Sequence, residues 1–246
     1  MKFGKSLSNQ IEETVPEWRD KFLSYKDLKK RLKRIPFLDG PAENPSKRQK
    51  FHSVEPVETS GDNVNEEEIG FIKLLEGELK KFNTFFVEKE EEYIIRLKEL
   101  QDRVAIGDEN SEGMVNIRKE IVNFHGEMVL LEHYSALNYT GLVKILKKYD
   151  KRTGAVIRLP FIQKVLRQPF FTTELIYKLV KKCEQLLEEL LLHNDVEGQS
   201  SVKEIEHMES FHMKSAISAL RVLEEIRSGS STVSVFSLPP LEASFM

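Results

Sequence analysis

The sequence predicts an all-α protein, with an N-terminal helical hairpin packed on a bundle with two long antiparallel helices, plus C-terminal helices. Three observations predict it. Two stretches of roughly 40 residues keep their apolar side chains at helical spacing. No segment shows the alternation of a convincing strand. Polar, glycine- or proline-bearing breaks separate the periodic stretches, so that each closes as its own helix.

Taken in order, residues 2 to about 13 place Phe3, Leu7 and Ile11 four apart with polar residues between, a short amphipathic helix. Pro16 suits a first helical turn, because it has no N–H to leave unpaired, and the pattern predicts a second helix running on to Pro36. Trp18, Phe22, Leu28, Leu32 and Ile35 would pack, while Tyr25, Lys29 and Lys33 align at i, i+4 and i+8. Residues 36–65 hold four prolines and no apolar periodicity, which reads as a disordered linker. Asn65 and the glutamates after it form a capping sequence for a long helix that ends at IGDENSEG. Its stripe includes Ile69, Ile72, Leu75, Leu79, Phe82, Phe86, Tyr93, Leu97 and Leu100. The partner helix is predicted from about Met114 to Tyr149, antiparallel because the connection is short. Thr153-Gly154, Pro160 and Pro169 then cut the pattern into short pieces. Thr172 or Thr173 can cap a helix to about Leu192, and a last helix spans about Val202–Arg227 after a polar break at Asn194–Ser201. The Ser- and Pro-rich tail, 229–246, reads as disordered.

At 246 residues and 28.6 kDa the chain has room for one substantial core and one small further module. Its longest apolar runs fall far short of a bilayer span, and the first residues have no apolar signal core, so neither a membrane protein nor a secreted one is expected. One cysteine, Cys183, allows no internal disulfide and fits a reducing compartment. Within the predicted linker, PSKRQK resembles a nuclear-import signal, bipartite if KKRLKR upstream is counted, so nucleus and cytoplasm are the expected locations.

Chemistry has no visible seat. The histidines show no metal-binding spacing, Cys183 stands in no nucleophile motif, and no phosphate loop or GxSxG is present. Neither an enzyme nor a metal or cofactor site is expected. Charge is informative in its distribution. The formal net charge is −3, yet Lys26–Arg34 carries six bases against Asp27, and Lys144–Arg152 carries five against Asp150. In LNYTGLVKILKKYDKR, Lys144, Lys147, Lys148 and Lys151 share a helical arc of roughly 100° opposite Leu142, Ile145, Leu146 and Tyr149. Either face alone reads as ordinary solvated lysine. If the two helices pack side by side, however, the lysines converge, and a multiply charged anion would relieve their repulsion.

MKFGKSLSNQI, YKDLKKRLK and LNYTGLVKILKKYDKR, in that order with a variable linker between, resemble the SPX domain over about residues 1–165. The rest comprises C-terminal helices, 166–228, and the tail, and with no transmembrane, RING or polymerase part it is similar to the stand-alone plant SPX proteins. The resemblance implies a non-enzymatic sensor whose basic surface binds inositol hexakisphosphate or inositol pyrophosphates. It places the family's phosphate-binding cluster on Tyr25, Lys29 and Lys147, and the surrounding lysines on Lys144, Lys148 and Lys151, with Lys2 and Lys33 as further contacts. It also implies a protein partner, the MYB coiled-coil transcription factors of the phosphate starvation response, held away from promoters by the ligand-loaded sensor. Two rival readings stand beside it: a nucleic-acid-binding protein using the basic helices, and a purely structural adaptor using the C-terminal ones. The sensor reading expects no specific nucleic-acid binding and no membrane. Long apolar stripes and a breakable connection near Pro160 leave a homodimer by helix exchange open.

Overall fold

The computed structural model describes residues 3–37, 61–106 and 111–192, together with 216–218, 220, 221 and 224. The bulk of the predicted linker with PSKRQK, the break at Asn194–Ser201, most of the last predicted helix and the tail lie outside the described residues, as does Lys2. Among the described residues every regular element is a helix. These are α1 (Phe3–Glu13), a 3-10 turn (Pro16–Lys21), α2 (Tyr25–Arg34), α3 (Gly61–Ile106), α4 (Ser111–Thr153), α5 (Arg158–Val165), α6 (Pro169–Thr172) and α7 (Glu174–Leu192).

The two long helices form the frame. With 46 and 43 residues, α3 and α4 are each more than about 60 Å long. They run antiparallel, and Phe71 stacks on Tyr149 at one end while Tyr93 meets Phe124 edge-on further along. Their facing stripes, with Leu75, Phe82, Phe86, Ile121, Met128, Leu131 and Leu142, are fully buried. Both helices exceed their predicted limits. The first is already helical at Gly61, so Asn65 lies inside it and is not its cap, and the second extends from Ser111 to Thr153. Capping residues mark where a helix can begin without fixing its first residue. Gly154 follows with φ 70° and its N–H on the Asp150 carbonyl, a left-handed glycine that ends α4.

The C-terminal elements cover the same core. Arg118 Nη2 donates to the Leu190 carbonyl and Cys183 lies on the Ile121 carbonyl, so α7 runs antiparallel along the first half of α4. Burial pushes the Cys183 thiol up to about 12, which makes it a packing residue, not a nucleophile. Pro169 begins α6, where Phe170 packs on Phe82 and Phe171 on Tyr139.

The second predicted helix is two pieces. The 3-10 turn from Pro16 gives way to a non-helical segment, Phe22–Ser24, extended at Phe22 and turning at Ser24 where the Tyr25 N–H meets the Leu23 carbonyl, before α2 starts at Tyr25. Side chains of the long helices take over the backbone groups there. Leu23 N–H donates to Asn138 Oδ1 at 2.8 Å, Ser24 N–H donates to Glu78 Oε2 at 2.8 Å, and Lys81 Nζ donates to the Phe22 carbonyl at 2.8 Å. Local apolar spacing continues through the break, but these tertiary bonds outweigh it. Leu23 also sits against Gly141 of α4, where a β-carbon would come within 2.4 Å of its Cδ2.

Candidate anion-binding site

Three elements meet at the C-terminal end of α4. The N-terminal turn of α2 points Tyr25 inward, where its ring is 4% exposed. Phe3 of α1 packs edge-on against that ring at 5.2 Å, close enough to Gly4 that an added β-carbon would lie 3.3 Å from Tyr25 Cε1. Lys148 Nζ lies over the same ring at 5.5 Å from its centroid, and Lys144 Nζ lies over Phe3 at 5.4 Å. Aromatic faces are a tolerable neighbour for an ammonium and leave its donors available. The Tyr25 hydroxyl is buried and has no hydrogen-bond partner among the described residues. An orphaned buried hydroxyl is uncommon, and this one lies beside the lysines of α4.

The far end of α2 is held by α4 as well. Arg152 donates from Nη2 to the Lys33 carbonyl at 2.9 Å and from Nε to the Ile35 carbonyl, and its guanidinium lies 4.1 Å from the Phe37 ring centroid. A cation on the last carbonyls complements the negative end of α2. Contacts from Leu23 with Asn138 through to Ile35 with Arg152 advance in the same sense, so α2 and the end of α4 lie side by side and run the same way.

On the surface of this pair, Lys29, Lys33, Lys144, Lys147, Lys148 and Lys151 are exposed. None forms an ion pair with a described residue. The two nearest acids in sequence are occupied elsewhere: Asp27 pairs with Lys30 at 3.2 Å, and Asp150 Oδ1 accepts the Ile157 N–H. Of the residues singled out from the sequence, Tyr25 and Lys148 are in direct contact, and Lys29 and Lys33 follow Tyr25 at one-turn intervals along α2. Lys144, Lys147 and Lys151 extend the row on α4. Periodicity missed Arg152, which the sequence reading counted only as charge, and missed the roles of Phe3, Glu78 and Asn138. Asn138 had a signal, an amide set beside Leu137 and one turn from Leu142 on the apolar side of α4, and in the structure it is fully buried. Glu78 had none, since it is one of many glutamates on α3.

A short pair of helical pieces seated where the start of one long helix meets the end of its antiparallel partner, away from the connection between them, is the architecture of an SPX domain. A solved SPX domain, that of Chaetomium thermophilum glycerophosphodiester phosphodiesterase 1 in complex with inositol hexakisphosphate, superposes with a TM-score of 0.58. It covers 77% of this chain and 99% of that one at 22% identity, so it speaks to the fold. The SPX domain family profile matches residues 1–60 and 109–165. SPX domain-containing protein 1 of Arabidopsis thaliana is 64% identical over 245 residues, covering 98% of this chain and 93% of that protein. SPX domain-containing protein 1 of Oryza sativa subsp. japonica is 60% identical over 272 residues, with 98% and 92% covered. The chain belongs to the family of SPX domain-containing proteins.

Proposed function

We propose that this chain is a non-enzymatic sensor of inositol polyphosphates and pyrophosphates. The observation that carries the reading is a buried, unpartnered Tyr25 hydroxyl beside six exposed lysines that have no acid partner among the described residues. The solved Chaetomium thermophilum SPX domain, of the same fold, is in complex with inositol hexakisphosphate, which supports the choice of ligand. Phosphate groups on a compact ring offer several charge-assisted hydrogen bonds at once, and Tyr25, Lys29 and Lys147 lead, with Lys144, Lys148, Lys151, Lys33 and Lys2 around them. Bound ligand neutralises the row and orders the α1–α2 region for a protein partner, a MYB coiled-coil phosphate starvation response factor, which is thereby kept from its promoters, with the sensor itself in nucleus and cytoplasm.

Calorimetric titration with inositol hexakisphosphate and an inositol pyrophosphate tests the site. Lys29→Ala and Lys147→Ala each weaken binding by roughly tenfold on this reading, and unchanged affinity in both would overturn it. Ligand-dependent capture of the coiled-coil factor by wild type, lost in Lys147→Ala, tests the output.

A further inference from the structure

Helix α2 carries part of the proposed site, yet it has little to hold itself in place. It is ten residues long, below the length at which an isolated helix is stable, and in its first turn Lys26 offsets the favourable charge of Asp27. Ser24 occupies its N-cap position without capping it by side chain. Its Oγ instead faces Lys81 Nζ at 3.3 Å. The start of α2 is fixed from outside by Glu78, whose carboxylate is buried, accepts the Ser24 N–H at 2.8 Å and pairs with Lys81 at 2.8 Å. Lys81 in turn holds the Phe22 carbonyl, and Asn138 holds the Leu23 N–H from the opposite helix.

We infer that Glu78 is a positioning residue for the polyanion site: its buried carboxylate on the Ser24 N–H fixes the start of α2 and thereby places Tyr25 and Lys29 against the lysines of α4. The inference rests on the reading that this face takes an inositol polyphosphate. It makes an acid necessary for binding an anion, which separates it from simple electrostatics. By charge alone, deleting Glu78 frees Lys81, adds positive potential near the row and tightens binding. By position, deletion lets the Phe22–Ser24 segment shift, spreads Tyr25 and Lys29 over several placements and weakens binding.

The test is titration of the full chain with inositol hexakisphosphate at several salt concentrations, with thermal melting alongside. Glu78→Ala is expected to bind roughly five- to tenfold more weakly. Glu78→Gln, whose amide oxygen still accepts the Ser24 N–H, recovers affinity to within about twofold of wild type. The salt dependence becomes shallower for Lys29→Ala, which removes a charged contact outright. Should Glu78→Ala not fold, Glu78→Asp keeps the charge and shortens the reach by one methylene, and weaker binding is again expected. Wild-type or tighter affinity in Glu78→Ala, or in Glu78→Asp where that variant stands in, overturns the positioning role while Lys29→Ala remains weak. Wild-type chain that does not bind, or Lys29→Ala that binds as wild type, overturns the site reading itself.

Discussion

Toward Ile106 and Ser111, the far end of the α3–α4 pair, cations face acids across the helix boundary. Arg96 reaches Glu127 at 2.8 Å, Lys89 approaches the same carboxylate at 3.6 Å, and Arg103 pairs with Glu120. At the near end, where α2 lies against α4, six lysines are exposed with no acid partner among the described residues. Both regions sit on the same two helices, have similar apolar stripes beneath them and are rich in basic residues. The difference lies in where the neutralising charge comes from. At the far end it belongs to the chain and serves to hold the helices together; at the near end, on the proposed reading, it arrives with a ligand. Of the acids at the near end, Asp27 and Asp150 are turned to local bonds that take them out of the lysine row, and Glu67 of α3 pairs with Arg31 and Arg34 of α2, not with the lysines.

Breaking the near end has the largest expected effect. Replacing Lys144, Lys147, Lys148 and Lys151 together by Ala lowers affinity for inositol hexakisphosphate by at least about a hundredfold in calorimetry. The melting temperature without ligand stays level or rises, because like charges have been removed. In wild type, ligand at a hundred times its dissociation constant adds about 2.7 kcal/mol of stability, and the quadruple variant shows no such gain.

Between the two ends, His133 is 2% exposed on α4, and burial lowers its pKa to about 4. Its usual value is 6.5, so between these limits the unfolded chain holds the extra proton and stability rises with pH. Denaturant melts should therefore show stability falling as pH drops from about 6.5 to about 4, by up to roughly 3 kcal/mol from this group. His133→Leu flattens that part of the profile. An equal slope in the variant would refute the assignment.

At the far end, Glu127→Ala removes the shared partner of Arg96 and Lys89, a carboxylate whose side chain is 12% exposed. A loss of about 1–2 kcal/mol is expected, discounted because Arg96 is a third exposed. Inositol hexakisphosphate affinity should not move. Glu120→Ala breaks a pair that is nearly half exposed on both sides and costs no more than about 0.5 kcal/mol. If either far-end variant changed ligand affinity, the separation of the two regions would fail.

The sequence carried much of this. Two long antiparallel helices follow from Leu75, Phe82, Phe86 and Ile121, Met128, Leu142, because helical spacing on a continuous stripe leaves one way to bury it. The alignment of Tyr25, Lys29 and Lys33, and the acid-free arc of α4, are also periodicity, and the structure sets these two rows on adjacent helices. What could not be read is whatever depends on a partner distant in sequence. The break at Phe22–Ser24 is dictated by Glu78, Lys81 and Asn138, which lie more than 50 residues away. The role of Arg152 as a clasp on α2 depends on the same docking, and α3 starts at Gly61, ahead of the capping sequence at Asn65.

The contact between Leu23 and Gly141 gives this docking a property that no inventory of charges would show. Leu23 is 3% exposed and reaches almost to the bare backbone of α4. The depth of the seat for the Phe22–Ser24 segment is thus set by a methyl group that glycine lacks. Alanine at 141 would keep every lysine and every acid of the chain, yet act as a wedge one carbon thick under the segment that leads into α2. The two rows of ammonium groups would then stand at a different gauge, like rails laid too wide. On the proposed reading a compact polyphosphate is recognised by the spacing between charges as much as by their number, and Gly141 keeps that spacing.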